Sequence, residues 1–247
     1  MTILSNKSDE VTRKETIHEL KEDSNVTLNS NVNNDSNNNL KLSSKKNIKA
    51  ILFDVYGTIL RSDSGDLAQS LSKRSVLLNA ARLVSNKYCM NRSPDEIVSA
   101  YENAISAEHH RKKSEGIQYP EVVLEDIWAQ VCTSLGVTAG PLTELAYDFY
   151  DLTASRYLYD GVFEVLKELQ KRGIRMGIIS NAQRGTELDL LRLLKIDSLT
   201  TFFDKDLLFF SYRLGYSKPN LNAFRLALSH LHEKGILPSE VLFVGNS

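Results

Sequence analysis

The stretch ILFDVYGTIL, residues 51–60, decides the fold of this chain. Its first three residues are apolar and run directly into Asp54, and the apolar segment that begins at Ile48 is too short for a core helix. A short apolar run without polar alternation is typical of a strand buried on both faces of a parallel sheet. The stretch therefore predicts a buried strand that delivers a carboxylate at its end, with Tyr56 two positions later.

Strand and helix patterns alternate along the chain after residue 158. Buried-strand patterns lie at residues 174–180, 205–214 and 240–245, and helical patterns lie at residues 160–173, 184–196 and 218–235. Such alternation is typical of parallel strands joined by right-handed helical crossovers. The predicted fold class is therefore α/β, with a doubly wound, Rossmann-like parallel sheet.

The sequence is predicted to divide into three segments. Residues 1–47 include a tract rich in Asn and Ser, which predicts a disordered tail. Residues 48–62 and 159–247 are predicted to form the α/β core, and residues 63–158 an inserted α-helical cap domain of about four amphipathic helices. Because a doubly wound core would continue beyond the last strand pattern, we also expect the C-terminal part of the core to be missing, as in a fragment.

Composition and charge bear on the class of partner. With 30 basic and 31 acidic residues, the chain has a formal net charge of −1, which favours neither nucleic acid nor an anionic membrane surface. The sequence has no apolar run near the roughly 20 residues that span a bilayer. These features predict a cytoplasmic protein, and they leave its oligomeric state open. Cys89 and Cys132 are both predicted to be buried thiols.

Polar residues follow each predicted strand of the core. The first strand ends at Asp54, the second at Ser180 and Asn181, Lys218 follows the third, and residues 245–247 follow the last. In open α/β sheets, ligands bind beyond the carboxyl ends of the strands. We therefore expect a carboxylate, a hydroxyl and an ammonium group to converge on one crevice. Each of these residues taken alone also fits a turn or the start of a helix.

The order of these motifs resembles that of the haloacid dehalogenase superfamily of hydrolases. The sequence carries D-V-Y-G-T at 54–58, S-N at 180–181, S-K-P at 217–219 and V-G-N-S at 244–247. The resemblance covers residues 48–247. It implies that Asp54 is the nucleophile, that Ser180 hydrogen-bonds the reacting group, and that Lys218 neutralises charge beside the nucleophile.

The resemblance also implies roles for further residues. Gly57 and Thr58 belong to the turn that leads to the cap, and together with Tyr56 and Asn181 they are the predicted substrate-binding residues. If the enzyme uses Mg²⁺, the nucleophile and Asn246 are the predicted metal ligands, although a neutral amide binds Mg²⁺ less well than a carboxylate. A dehalogenase-like enzyme would need no cofactor. The implied partner is a small-molecule substrate.

Tyr56 bears on the choice of reaction. Residues i and i+2 of a strand face the same side, so Tyr56 is expected to accompany Asp54 towards the site; alternatively, its ring packs under the cap. Phosphoryl-transferring members of the family carry a second aspartate at this position, as the acid and base for the leaving alcohol. A tyrosine, with a pKa of about 10, is a poor proton donor in its place. The resemblance is therefore to the 2-haloacid dehalogenases of the family, since neither a halide nor an activated phosphate needs a proton to leave.

Two kinds of function stay open from the sequence. The first is hydrolysis of a small organic substrate through a covalent aspartyl intermediate, at a carbon–halide bond or an activated phosphate. The family's dehalogenases use a cap arginine for the halide, and Arg74, Arg82 and Arg92 are equal candidates for that role. The second is a non-catalytic binding or regulatory protein with the same fold, or a C-terminally truncated fragment, which Tyr56 and Asn246 favour.

Overall fold

In the computed structural model, the described residues are 47–62, 74–138 and 140–245. The tail predicted at residues 1–47 lies outside this part of the chain, except for its last residue. All the described elements belong to one compact unit, Lys46–Ser247. None of the helices in the described ranges is long and apolar enough to cross a membrane.

Strands and helices alternate along most of the chain, but four helices follow one another after the first two strands. They are β1 (Ala50–Phe53), β2 (Leu60–Ser62), α1 (Arg74–Lys87), α2 (Pro94–Ser114), α3 (Leu124–Leu135), α4 (Leu142–Thr153), β3 (Arg156–Leu158), α5 (Val162–Lys171), β4 (Arg175–Ser180), α6 (Arg184–Leu194), β5 (Leu208–Phe210), α7 (Ser211–Leu214), α8 (Asn222–Glu233) and β6 (Val241–Val244). The four helices α1–α4, residues 74–153, are called the helical insertion below.

Four parallel strands form the described sheet, in the spatial order β5–β4–β1–β6. The register places Phe53 of the central strand β1 between Ile178 of β4 and Val244 of β6. The ladder continues one residue further, because the N–H of Asp54 donates to the carbonyl of Val244 at 2.8 Å. The predicted α/β fold with a parallel sheet is confirmed, and it sets Asp54 at the carboxyl edge of the sheet.

The core of the sheet consists of two apolar clusters that share β1. Ala50 and Leu52 belong to the cluster formed with α8, whereas Ile51 and Phe53 belong to the cluster formed with α5 and α6. This alternation follows from the strand period of two, and it explains why every residue of β1 is apolar. Burial of one large apolar side chain is worth about 1.5–3 kcal/mol, so both layers stabilise the strand that carries Asp54.

The helical insertion has an apolar cluster of its own. Its centre is an aromatic group in which the ring of Phe149 lies 4.9 Å from the rings of both Tyr101 and Trp128. All four of its helices contribute buried residues to this cluster. The four helices match the number that the amphipathic patterns predict.

Three sequence predictions differ from the structure in detail. The stretch predicted as helical up to residue 158 ends in the strand β3, which pairs with β2 in an antiparallel ladder; three residues are too few to show a period of two. The strand predicted at 205–214 is limited to β5. The helix predicted from Lys218 begins at Asn222, because the side chain of Asn220 accepts a hydrogen bond from the N–H of Asn222 at 2.9 Å and ends the preceding turn.

The two cysteines lie in different environments. Cys132 is buried in α3, as predicted. The prediction that Cys89 is buried is wrong: it is exposed and lies beyond the end of α1, with a φ of 51°. Its apolar sequence neighbours belong to a turn at that point rather than to the buried face of the helix.

Candidate active site

Asp54 and Lys218 form a shielded ion pair at the carboxyl end of β1. Asp54 is only 6% exposed, and the Lys218 Nζ donates to its Oδ2 at 2.5 Å. The other carboxylate oxygen, Oδ1, accepts from the N–H of Val55 at 2.8 Å. A charge pair that is largely withdrawn from water interacts more strongly than one on the surface. The two donors therefore fix the direction of the carboxylate.

Asn181 holds the backbone of Lys218. Its Oδ1 accepts from the Lys218 N–H at 2.6 Å, and its Nδ2 donates to the Lys218 carbonyl at 3.2 Å. Because Asn181 directly follows β4, which is next to β1 in the sheet, the amide fixes Lys218 beside the strand that carries Asp54. These contacts explain how a residue in a turn reaches the end of β1. The predicted contact of Asn181 with substrate stays a prediction.

Ser180 is the last residue of β4, next to β1 in the sheet. It is 2% exposed, and its Oγ has no hydrogen-bond partner among the described residues. A buried hydroxyl without a partner costs about 1–3 kcal/mol, which a polar ligand atom would offset. The hydroxyl lies at the same edge of the sheet as Asp54, and its predicted hydrogen bond to the reacting group stays a prediction.

The loop after Asp54 turns sharply at Gly57, which has a φ of 75°, a value that favours glycine. The Gly57 N–H donates to the carbonyl of Leu60 at 2.8 Å, and the Thr58 N–H donates to that of Val55 at 3.2 Å. The structure thus shows the turn that the motif implies. A role of Gly57 and Thr58 in substrate binding stays a prediction.

Gly245, the last described residue, lies directly beside Asp54. A Cβ added to Gly245 would lie 3.3 Å from the Cβ of Asp54 and 2.8 Å from the ring of Phe243. The close approach of these two segments therefore favours a glycine at this position. Asn246 and Ser247, which complete the predicted last motif, lie outside the described residues.

Tyr56 makes its hydrogen bonds away from Asp54. Its hydroxyl lies 2.5 Å from the hydroxyl of Tyr150 in α4 and 2.9 Å from the Oγ1 of Thr186 in α6. Strand β1 ends at Phe53, so the alternation on which the prediction for Tyr56 rests does not reach it. These contacts fit the alternative interpretation, in which Tyr56 packs against the helical insertion. Its role in substrate binding stays a prediction.

A buried carboxylate anchors this group of hydroxyls. Asp189 of α6 is 0% exposed; its Oδ2 accepts from the Tyr150 hydroxyl at 3.1 Å, and its Oδ1 accepts from Arg192 at 2.8 Å. The Nε of Arg156 lies 3.7 Å from the same Oδ2, and its guanidinium stacks on the Tyr150 ring at 3.6 Å. We call this group the tyrosine network; its members are Tyr56, Tyr150, Arg156, Thr186 and Asp189.

The tyrosine network perturbs the acidity of its phenols. Burial raises the pKa of Tyr56, and the nearby Arg156 guanidinium only partly offsets this effect. Burial raises the pKa of Tyr150 further above its ordinary value, and the neighbouring Tyr56 adds to the shift. Both phenols therefore stay protonated at neutral pH. They can donate hydrogen bonds, but they are poor general acids.

Sequence reasoning missed Tyr150, Arg156, Thr186 and Asp189. The available signal is weak: Thr186 and Asp189 lie three residues apart, on the same face of α6 as the buried Leu190. A polar pair on an apolar face indicates a buried network, but it does not show which residues of another segment complete it.

The three cap arginines proposed for halide binding all bond within the helical insertion. Arg74 contacts two carboxylates, Arg82 an amide oxygen and Arg92 a backbone carbonyl; the partners are Asp95, Glu102, Asn79 and Leu135. The structure therefore does not bring any of the three into contact with Asp54. A halide-binding role for one of them stays a prediction.

The described residues give little support for a metal site at Asp54. Both of its oxygens already accept a hydrogen bond, and the described ranges contain no group of three or more His, Cys, Asp or Glu residues that could hold a metal ion. Mg²⁺ prefers an octahedron of oxygen ligands. Asn246, the second predicted ligand, is outside the described residues, so the Mg²⁺ assignment stays a prediction.

A comparison of the sequence with family models decides the family. The model for haloacid dehalogenase-like hydrolases matches residues 48–247. The chain belongs to this family. The family assignment made from the motifs is thus confirmed, and with it the general class of hydrolase. No curated protein matches the chain significantly.

Solved structures of haloacid dehalogenase-like proteins resemble the chain at low identity. The L-2-haloacid dehalogenase from Xanthobacter autotrophicus with covalently bound chloropropionic acid is 20% identical, with a TM-score of 0.41 and coverage of 79% of this chain and 69% of that one. YfnB from Bacillus subtilis, bound to magnesium, is 22% identical, with a TM-score of 0.40 and coverage of 82% and 79%. A predicted phosphoglycolate phosphatase from Haemophilus somnus is 15% identical, with a TM-score of 0.41 and coverage of 82% and 79%.

Proposed function

We propose that the chain is a hydrolase that acts on a small organic substrate through a covalent aspartyl intermediate at Asp54, with a leaving group that departs without a proton. The observation that carries this proposal is the 2.5 Å contact between Lys218 Nζ and Asp54 Oδ2. A carboxylate that is aimed and charge-paired at the end of a central strand is a competent nucleophile. The leading substrate class is a 2-haloacid, and the alternative class is an activated phosphate.

On a 2-haloacid, the reaction has two steps. A carboxylate oxygen of Asp54 attacks the carbon that bears the halogen; a C–O bond forms, the C–halogen bond breaks, and the halide leaves with the bonding pair. Water then adds to the carbonyl carbon of the resulting ester. The acyl C–O bond breaks, the Asp54 carboxylate is regenerated with an oxygen from water, and the 2-hydroxy acid and one proton are released.

In this proposal, Lys218 and Ser180 stabilise charge rather than move protons. The ammonium of Lys218 compensates the negative charge that develops when water attacks the ester, an electrostatic effect that is strong in a shielded site. The unpartnered hydroxyl of Ser180 donates to an oxygen of the substrate carboxylate. The low exposure of Asp54 supports a reaction from which bulk water is excluded.

The tyrosine network supports a leaving group that needs no proton. Tyr150 donates its single hydroxyl proton to the carboxylate of Asp189, so in the contact between the two phenols Tyr56 is the donor. The Tyr56 proton is thus committed to Tyr150, and burial raises the Tyr56 pKa as well. General acid catalysis is worth about 10²- to 10⁴-fold, and alkyl phosphates would lose it.

The test is an assay of the purified protein with a 2-chlorinated acid and with an aryl phosphate, with and without Mg²⁺. We expect halide release, and we expect Asp54→Asn to abolish it. Asp160→Asn, which changes an exposed carboxylate in the same core, is the matched control and should leave the rate unchanged. Turnover that survives in Asp54→Asn would sink the proposal.

Isotope labelling identifies the bond that water attacks. In ¹⁸O-labelled water, the two-step path on a haloacid puts the label into Asp54 during the first turnover, and mass spectrometry of its peptide detects it. Direct attack of water on the substrate carbon puts the label into the product instead. With an aryl phosphate, the label enters inorganic phosphate, because water attacks phosphorus. On a haloacid, the position of the label therefore separates the covalent path from direct attack by water.

A second candidate is binding without turnover. It is favoured by the double engagement of the Asp54 carboxylate, which leaves no oxygen without a donor. In that case, the melting temperature would rise with a 2-haloacid or a phosphate ester, and neither halide nor phosphate would be released. Release that Asp54→Asn abolishes would exclude this candidate.

A further inference from the structure

The helical insertion pairs with the segment that leads directly into Lys218. Residues 119–121, between α2 and α3, lie against residues 215–217. Two backbone hydrogen bonds, of 2.9 and 3.0 Å, flank an antiparallel bridge between Pro120 and Tyr216. The backbone of the insertion therefore supports the segment before Lys218.

The side chain of Glu121 extends this contact into the core. Its Oε2 accepts from the hydroxyl of Ser211 at 2.7 Å, and its Oε1 accepts from the Nε2 of Gln183 at 3.1 Å and from the N–H of Val122 at 2.9 Å. Ser211 and Gln183 are both buried. Ser211 directly follows β5, and Gln183 lies three residues after Ser180, so one carboxylate of the insertion bridges the ends of two core strands.

The orientation of Gln183 depends on Glu121. The Gln183 Nε2 also donates to the carbonyl of Val122 at 2.9 Å, whereas its Oε1 is buried without a hydrogen-bond partner among the described residues. Turning the amide over would place its oxygen against two acceptors, so the observed orientation follows from the carboxylate and the carbonyl. The Ser211 hydroxyl in turn accepts from the N–H of Ala182 at 2.9 Å. Glu121 thus fixes the loop 181–183.

Both segments that hold Lys218 are therefore tied to one part of the insertion. The loop 181–183 contains Asn181, which grips the Lys218 backbone, and the segment 215–217 precedes Lys218 in the chain. We propose that Glu121 is a positioning residue: its side chain holds the loop 181–183 through Gln183 and Ser211, and thereby sets the place from which the Lys218 ammonium reaches Asp54. The effect of Glu121 on catalysis rests on the proposed function, but its effect on the position of Lys218 does not.

Chemical labelling of Lys218 tests the geometry without any substrate. Trace acetylation with acetic anhydride, followed by mass spectrometry, gives the reactivity of Lys218 relative to the exposed Lys195. We expect Lys218 to become several-fold more reactive in Glu121→Ala, because a side chain displaced from its shielded place beside Asp54 is more accessible to the reagent. Glu115→Ala changes an exposed carboxylate of the same insertion and should leave Lys218 as in the wild type.

A second variant keeps the test decisive if Glu121→Ala does not fold. Glu121→Gln keeps the length of the side chain but removes its charge and one of its two acceptor oxygens, so we expect a smaller rise in Lys218 reactivity. Unchanged reactivity of Lys218 in a folded Glu121→Gln, and in Glu121→Ala where that variant folds, would overturn the proposal.

Kinetics distinguish this inference from the proposed function. If the wild type turns substrate over, kcat should fall by about 10²-fold in Glu121→Ala with little change in KM, because a displacement on the order of 1 Å in a reacting group costs that much. A wild type without turnover, combined with a more reactive Lys218 in Glu121→Ala, would refute the function and support the positioning role. The opposite result is turnover by the wild type together with a folded Glu121→Ala whose kcat and Lys218 reactivity equal those of the wild type. It would support the proposed function and refute the positioning role.

Discussion

The hydroxyl oxygens of Tyr56 and Tyr150 lie 2.5 Å apart, and this contact joins the loop after Asp54 to the last helix of the insertion. Tyr56 follows Asp54 by two residues, and Tyr150 belongs to α4. The hydroxyl of Thr186, 2.9 Å from that of Tyr56, ties the same point to α6. The residue that distinguishes the first motif therefore has a visible structural task, which is to hold the insertion against the core.

Tyr56→Phe separates this task from acid catalysis. The variant removes one hydroxyl from a buried network, so we expect the free energy of unfolding to fall by about 1–2 kcal/mol in a urea titration. Because Tyr56 donates to Tyr150 rather than to a leaving group, kcat for halide release should stay within a few-fold of the wild type. Tyr157→Phe, in the partly exposed ladder of β2 and β3, is the control and should change stability by less than about 0.5 kcal/mol. A loss of kcat of about 10²-fold or more would show instead that Tyr56 acts as the acid.

Lys218→Met tests the ion pair at the nucleophile. The substitution leaves the Asp54 carboxylate buried without a counter-charge, so the free energy of unfolding should fall by about 3 kcal/mol at neutral pH. The loss of the ammonium should also lower kcat by about 10²-fold or more. Adding Asp54→Asn removes the unpaired charge, and the double variant should be more stable than Lys218→Met alone. Simple addition of the two losses in this double-mutant cycle would contradict the pairing.

The strand ends that carry Asp54 and Ser180 could be predicted from the sequence for a physical reason. Strands of a parallel sheet are covered on both faces, so each is a short continuous apolar run, and the first polar residue after it marks the carboxyl edge. The turn at Gly57 was predictable in the same way, from the motif and from the tolerance of glycine for positive φ.

The contacts between the insertion and the core could not be predicted in this way. Tyr56 and Tyr150 are 94 residues apart, and Glu121 and Ser211 are 90 residues apart. No local pattern encodes such pairs, because a polar residue that meets a distant partner looks like a solvated one. The prediction for Tyr56 also carried the strand period past Phe53, where the strand ends and its alternation no longer applies.

Asp189→Asn tests the charge at the centre of the tyrosine network. Asp189 is fully buried and faces the equally buried guanidinium of Arg156, so the substitution leaves a buried cation without its partner. We expect a loss of about 3 kcal/mol in the free energy of unfolding. Asp151→Asn is the matched control: its side chain is mostly exposed and lies 4.0 Å from the same guanidinium, so its loss should be below about 1 kcal/mol. Equal losses in the two variants would refute the assignment of Asp189 as the main counter-ion.

Gly177→Ala tests the packing of the sheet beside the nucleophile strand. A Cβ at Gly177 would lie 2.5 Å from the Cβ of Leu207 and 2.8 Å from both its carbonyl oxygen and the Cδ2 of Leu52. Because one of these neighbours is backbone, the strands must separate, and we expect a loss of about 1–3 kcal/mol in the free energy of unfolding. In Gly140→Ala, the added Cβ would meet only the ring of Tyr88, at 3.7 Å, so this control should unfold like the wild type. If Gly177→Ala had the same free energy of unfolding as the wild type, the close packing around Gly177 would be contradicted.

His109 of α2 gives the helical insertion a defined response to acid. Burial lowers the pKa of His109 below its ordinary value, and the cations Lys113 and Lys112 lower it further, against a smaller opposite effect of Glu108. The unfolded chain therefore binds the proton more tightly than the folded chain. The resulting stability is present above the ordinary pKa of about 6.5 and is lost as the pH falls towards the lower pKa of the folded state.

Melting temperatures at about pH 7.5 and about pH 5.5, on either side of the ordinary histidine pKa, measure this response. The wild type should melt at a lower temperature at the acidic pH, and His109→Gln should lose less than the wild type, because a neutral amide takes up no proton. His110→Gln, at the exposed neighbouring position, should keep the full pH dependence of the wild type. An equal fall in melting temperature for His109→Gln and the wild type would contradict this prediction. The acid sensitivity would then come from proton uptake by another group.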